Sequence, residues 1–324
     1  MGREAELLAP GDAAMAQARR RVVIFLCTYN GAAFLAEQLD SIAAQTHQDW
    51  VVWASDDGST DATLDILAAY RATWPAGRLV INKGPGKGFV AHFLALACRA
   101  DLTAGLYAYA DQDDIWEKDK LARAVAWLLT QSEEIPALYC TRTRTIDADN
   151  NETGFSPMFS RPPGFSNALI QNIGGGNTMV YNHAARLLLM KAGEPVNVIS
   201  HDWWSYMIVA GAGGSVRYDP YPSVRYRQHG ANLIGANASW RARLGRLAMA
   251  WRGRFRGWND AHINMLRALD GVLTTESRMV LEKFAKSREL GLLPRLVGLR
   301  QSGIHRQTRL GNLTLVLAAL FKKV

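Results

Sequence analysis

Tyr109-Ala110-Asp111-Gln112-Asp113-Asp114-Ile115-Trp116 sets three carboxylates within four residues, directly behind the apolar segment Ala104-Gly105-Leu106-Tyr107-Ala108. An apolar strand that empties into an acidic turn delivers hard oxygen ligands to the carboxyl edge of a sheet. In open α/β sheets that edge is where ligands bind. Carboxylates this crowded repel one another unless a cation or protons intervene, and Mg2+ or Mn2+ is the usual cation where phosphates are handled. Taken alone, the run reads equally well as a solvated acidic turn that caps the next helix. The surrounding sequence separates the two readings.

Upstream, Arg21-Val22-Val23-Ile24-Phe25-Leu26-Cys27 is a β-type run that ends at Thr28-Tyr29-Asn30-Gly31, and Phe34, Leu35, Leu39 and Ile42 then recur at helical spacing. A second strand, Trp50-Val51-Val52-Trp53-Ala54, closes on Ser55-Asp56-Asp57-Gly58-Ser59-Thr60-Asp61, a polar cluster able to cap a helix carrying Leu64, Ile66, Leu67 and Tyr70. Arg78-Leu79-Val80-Ile81 predicts a third strand, Gly84-Pro85-Gly86-Lys87-Gly88 a glycine-rich loop, and Phe89 to Arg99 a helix leading to the fourth strand. Strand, loop and helix alternate four times, which predicts an α/β fold with a mainly parallel, Rossmann-like central sheet flanked by helices. Beyond Leu121 the pattern predicts strands at Ala137 to Thr141, Thr178 to Tyr181, Ser215 to Tyr218 and Ser223 to Tyr226, a polar loop from Asp147 to Asn167, and a helix opening at His201-Asp202-Trp203-Trp204. From about Ser239 the chain reads as helical, basic and amphipathic.

The chain has 324 residues, 48% of them hydrophobic and 20% charged, enough for a large core. Its three cysteines, Cys27, Cys98 and Cys140, are scattered and odd in number, which suggests no disulfide framework and favours a reducing compartment. The first residues lack an uninterrupted apolar core, so no secretory signal is read, and no window of about eighteen apolar residues exists to span a membrane. The net charge of +8 is uneven: from Trp240 onward 17 Lys and Arg face 5 Asp and Glu, so the remainder is mildly acidic. Such asymmetry points to an anionic partner for the tail.

Cys27-Thr28-Tyr29-Asn30, Asp56 to Asp61 and the acidic turn all follow strands of one parallel sheet, so they converge on one edge. With these motifs, worded VVIFLCTYNGAAFLAEQLDSIAAQT and ADQDDIWEKDKL, the chain resembles the family 2 glycosyltransferases, and within them the bacterial rhamnosyltransferase-type members. The resemblance covers roughly Arg21 to Gly235 and implies a GT-A fold. It divides the chain into a tail (1–20), a glycosyltransferase domain (21–235, nucleotide-binding half 21–115, acceptor half 116–235) and a helical, basic extension (236–324).

The resemblance also implies roles. Cys27, Thr28 and Tyr29 would line the base pocket, with the Tyr29 ring on the pyrimidine. Asp57 would accept the ring N–H, as an acceptor-only carboxylate can. Asp111 and Asp113 match the D-x-D positions around Gln112 on the nucleotide. Asp113 would be the direct ligand of Mg2+ or Mn2+, Asp111 would serve ribose or metal-bound water, and Asp114 would shape the turn. Gly175, Gly176 and Asn177 would lie beside donor sugar and acceptor, where missing side chains let backbone approach a ligand. Asp202 matches the catalytic base of inverting members. His201 is its neighbour, and Trp203 and Trp204 offer faces for a sugar ring. Arg227 would bind diphosphate and His229 would complete the metal shell. Where the family commonly has an Arg-Asn pair, this chain has Ala91-His92, which makes Lys87 the candidate substitute.

The expectation is therefore an inverting, metal-dependent transfer of a sugar, with dTDP-L-rhamnose favoured over a UDP-sugar. The acceptor would be a hydroxyl of a bacterial surface glycan or lipid-linked oligosaccharide. A sugar nucleotidyltransferase and a non-catalytic polymer-binding protein are the alternatives. Arginines from Arg241 to Arg256 interleave with Leu244, Leu247, Trp251 and Phe255, and the apolar run Leu310 to Phe321 suits an interfacial helix. These features place the protein peripherally on the inner face of the cytoplasmic membrane, with no nucleic acid as partner, or let the same helices serve a homodimer.

Overall fold

The structure, a computed structural model, describes residues 17–194, 198–228, 254–269 and 271–324. His229 and the arginine- and tryptophan-rich stretch 241–253 lie outside the described residues.

The order of elements is β1 (Val22–Thr28), α1 (Leu35–Ala43), β2 (Trp50–Asp56), α2 (Thr63–Thr73), β3 (Leu79–Lys83), α3 (Phe89–Ala97), β4 (Leu106–Asp111), β5 (Ile115–Trp116), α4 (Lys120–Leu128), β6 (Ala137–Ile146), β7 (Glu152–Phe155), α5 (Phe165–Ala168), a 3-10 turn (Gly176–Thr178), β8 (Val180–Asn182), α6 (His183–Ala192), α7 (His201–Gly211), β9 (Ser215–Arg227), α8 (Arg254–Ala268), α9 (Thr275–Glu289), α10 (Leu292–Gln301) and α11 (Arg309–Leu320). The strands form one mixed sheet in the order β3-β2-β1-β4-β8-β6-β9-β5, with β7 hung on β6. Pairs from β3 to β4 are parallel, as the four strand–helix repeats predict, whereas β8 runs antiparallel to both β4 and β6.

Central strands buried on both faces need apolar residues at every position. In β1 all seven residues are buried. Val22, Ile24 and Leu26 enter the layer packed by α1, α2 and α4. Val23, Phe25 and Cys27 enter the opposite layer, where they meet α3, α6, α7 and the carboxy-terminal helices. The second layer is the larger, and it joins the extension to the sheet through Trp203 and Tyr206 of α7, Ile263 and Leu266 of α8, and Leu281 and Phe284 of α9.

The second half differs from the sequence reading most in β6, β7 and β9. β6 continues past Thr141 because Thr141, Thr143 and Thr145 alternate inward while Arg142 and Arg144 stay half-exposed. Part of the predicted loop is β7, secured by an ion pair from Arg144 to Glu152 and by the Arg142 guanidinium 4.8 Å from the Phe155 ring. The two predicted strands around Pro220 and Pro222 are one strand, β9. Its register against β6 shifts between Thr141 and Thr143, so the irregularity absorbs the prolines. Among the described residues no helix is long and apolar enough to cross a membrane.

Candidate active site

Three parallel strands end level. Cys27 stands opposite Ser55 on β2 and Asp111 on β4, and Thr28 stands opposite Asp56. The loops after β1, β2 and β4 therefore open at one edge. At the end of β2 Asp56 is an internal knot. It accepts from the Thr28 hydroxyl (2.9 Å) and from the amides of Gly58 (3.0 Å) and Ser59 (2.8 Å). Burial works to raise its pKa, and the bonds from Ser59, Thr28 and Gly58 outweigh it and hold the carboxyl below the usual range. With Asp56 committed to the turn, Asp57 faces the glycine loop and accepts the Gly86 amide at 2.7 Å. His92 of α3 sits beside it, Nδ1 3.8 Å from Asp57 Oδ1. A Cβ on Gly84 would overlap both side chains, so only glycine lets the loop pass here. Burial lowers the His92 pKa against the pull of Asp57 and Asp56.

Tyr29 is 58% exposed, a free ring face at the mouth of the cleft. Its backbone is fixed by Gln112, whose Oε1 accepts the Tyr29 amide (2.8 Å) and whose Nε2 donates to the Tyr29 carbonyl (3.0 Å). The residue between Asp111 and Asp113 thus ties the acidic turn to the loop after β1. Cys27 is a buried wall, its thiol pushed well up by burial and by Asp111 and Asp57.

In the acidic turn, Asp114 is fully buried and accepts from the Asn177 side-chain amide and from the Arg227 backbone amide (3.1 Å). Burial, Asp113 and Asp111 push its pKa well up. Lys120 is buried beneath the turn with Nζ 3.7 Å from the Trp116 ring centroid, and burial brings its amine down to about 7 against the pull of Asp114. Asp111 is pushed up to about 8 by burial and by the nearby carboxylates of Asp113 and Asp202. Asp111 and Asp113 would offer hard oxygen donors to a dication, whose charge would relieve the crowding of the carboxylates. Among the described residues no group of three or more His, Cys, Asp or Glu side chains is placed to hold a metal by itself.

Asp202 stands on the opposite wall, in the first turn of α7. Its Oδ2 accepts the Gly176 amide (3.0 Å) and its Oδ1 the Trp203 amide (2.6 Å). A Cβ on Gly176 would overlap His201 Nε2, so the glycine lets the 3-10 turn close onto the start of α7. Gly176 and Asn177 thereby bridge the two walls, one bound to Asp202 and the other to Asp114.

Several residues read from the sequence lie elsewhere than expected. Trp203 is buried, with its indole N–H donating to the Ala168 carbonyl (2.6 Å) and its ring edge-on to Trp258 and His262. Trp204 is 1% exposed. Ten of the eleven α7 residues are buried, Asp202 being the exception, so these indoles are core and present no face to a sugar. His201 is stacked on Phe93 at 4.0 Å and held neutral, its pKa lowered to about 4 by burial against Asp202. Arg227 is also fully buried, behind the turn rather than in front of it. Its guanidinium donates to the carbonyls of Asp113 (2.9 Å) and Ala148, pairs with Glu37 (2.7 Å) and lies 4.4 Å from the Phe34 ring centroid. Lys87 is exposed on the glycine loop. Sequence reasoning missed Lys120 and the Glu37–Arg227 pair; a charged residue on the apolar side of an amphipathic helix was the available signal for Lys120.

Residues 23–193 match a family model described as Glycosyl transferase family 2. The dTDP-rhamnosyl transferase RfbG of Shigella flexneri is 30% identical over 239 residues, 69% of this chain and 78% of that protein. The chondroitin synthase of Escherichia coli is 33% identical over 146 residues, 43% of this chain but 20% of that protein. Among solved structures, S. aureus TarS 1-349 in complex with UDP-GlcNAc superposes with a TM-score of 0.52 at 15% identity, over 87% of this chain and 90% of that one. At that identity the likeness is one of fold.

Proposed function

Since the chain belongs to glycosyl transferase family 2 and carries the GT-A fold, we propose that this glycosyltransferase moves L-rhamnose from dTDP-L-rhamnose to a hydroxyl of a bacterial surface glycan or lipid-linked oligosaccharide, with inversion. The rhamnosyl donor is supported by the relative named for it. A UDP-sugar used by the same residues is the second reading, favoured only by the pyrimidine-compatible acceptor at Asp57.

One observation carries the mechanism. Asp57, Asp111 and Asp113 share one strand edge, and Asp202 is held against that edge by the Gly176 amide. Asp57 would accept the pyrimidine ring N–H while Tyr29 stacks on the base. Asp111 and Asp113 would hold Mg2+ or Mn2+ with the diphosphate, and a bound dication would neutralise charge on the leaving group. The acceptor oxygen attacks the anomeric carbon from the face opposite the diphosphate. Its new bond to carbon forms as the bond from carbon to the diphosphate oxygen breaks, and its proton passes to Asp202. The bonds from Gly176 and Trp203 fix where that carboxylate points, which is what general-base geometry demands. The acceptor chemistry and the basic extension together support work at the inner face of the cytoplasmic membrane.

Asp202→Asn keeps size and removes basicity. Transfer measured by product formation should fall at least about a thousandfold, with nucleotide binding by calorimetry unchanged. Full transfer by the variant would remove Asp202 from the reaction.

A further inference from the structure

We propose that the outer face of α10 and α11 is a docking surface for an anionic lipid bilayer. The final helix is apolar yet hardly contributes to the core: of its twelve residues, only Ala319 is buried. Leu310, Leu313 and Leu317 recur at one-turn spacing on its exposed side, with Leu310 67% exposed. The preceding helix adds Leu292, Leu293 and Val297, with Leu293 73% exposed. Exposed large apolar residues scattered singly need no partner, but two successive helices that both turn theirs outward do.

Charge selects the partner. From Gly291 to Val324 there is no Asp or Glu and there are six Lys or Arg. Arg295 is spent inside, donating to the carbonyls of Ala319 (2.6 Å) and Leu290. Arg300, Arg309 and Lys322 remain exposed. Leucines beside cations with no carboxylate match the boundary between headgroup and acyl chain of an anionic bilayer. A second copy of the chain fits worse. A two-fold contact through this face would set cations against cations. The surface deepens the reading of a membrane-borne acceptor and rests on it for its biological setting, although its test needs neither donor nor acceptor.

The full-length protein is sedimented with vesicles of phosphatidylcholine containing phosphatidylglycerol, and with vesicles of phosphatidylcholine alone. Binding to the anionic vesicles should exceed binding to the neutral ones and weaken with salt. Leu313→Glu with Leu317→Glu should reduce it at least about tenfold. Arg300→Gln, Arg309→Gln and Lys322→Gln together alter only exposed positions and should reduce it about a hundredfold at low salt. Circular dichroism is the check that both variants fold. Equal binding by parent and folded variants, or no binding by the parent at low salt, would overturn the proposal. So would variants that change the mass in solution but not the sedimentation, an outcome that assigns the face to a second copy. Loss of transfer in Asp202→Asn is scored separately, so the surface can fail while the reaction stands.

Discussion

At the residue scale the site depends on side chains buried behind it. Arg227 holds the acidic turn from behind through the Asp113 carbonyl, and it balances Glu37. Lysine cannot reproduce a planar fork that serves several acceptors. Arg227→Lys should therefore lower stability by about 3 kcal/mol in urea unfolding, because it strands the carbonyls that the buried guanidinium serves. Asn177→Ala removes a donor from fully buried Asp114 and should cost about 2 kcal/mol in the same assay. His262 gives a prediction in pH. Burial lowers its pKa from 6.5 to about 4, so between those values the unfolded chain binds the proton and the folded chain does not. Stability is then fully present above about pH 6.5 and is lost as pH falls towards 4, by about 3 kcal/mol for this one group. His201 acts in the same direction, whereas Asp111, raised to about 8, acts in the opposite one. The His262 contribution is isolated as a difference: His262→Phe keeps a ring against Trp203 and should flatten the parent's fall in stability from pH 6.5 to 4. An unaltered slope in the variant would refute the assignment.

At the element scale the part of the sheet from β1 to β4 was legible from the sequence, because every strand there is a short apolar run that ends in a turn cluster. Periodicity and turn chemistry then agree, and β1 to β4 lie where the pattern predicts. The part from β6 to β9 was less legible. β6 continues on threonines and arginines that read as polar, β7 is held by contacts with β6, and β9 carries two prolines that only a register shift can accommodate. At the site, the sequence located Asp57, Asp111, Asp113 and Asp202 at strand and helix ends. It did not show which way a residue faces, and Trp203, Trp204 and Arg227 were misread for that reason. Nor does a pattern reveal that Gly176 must lack a side chain. Gly176→Ala forces His201 or the turn to move, and with it the amide that aims Asp202. Transfer should fall by about two orders of magnitude, while the melting temperature changes little by comparison. Chelation tests the acidic turn: EDTA should abolish transfer and Mn2+ or Mg2+ should restore it, with Asp113→Asn weakening the restoration.

At the scale of the whole molecule the carboxy-terminal helices are part of the second core layer, with Ile263, Leu266, Leu281 and Phe284 packed into the cluster that holds α7. Trp203→Ala should cost about 4 kcal/mol by chemical denaturation, since it empties a space shared by the sheet side and the extension. Asp202 and Trp203 are consecutive, yet one faces the cleft and the other is lodged against Trp258 and His262. A helix cannot turn one of them without turning the other. Sequence drift inside the extension therefore has a path to the cleft: a changed ring or methyl group around Trp203 would tilt the first turn of α7 and redirect the Asp202 carboxylate, the base in the proposed reaction. Among descendants of this chain, acceptor preference can diverge through substitutions that no bound sugar ever touches.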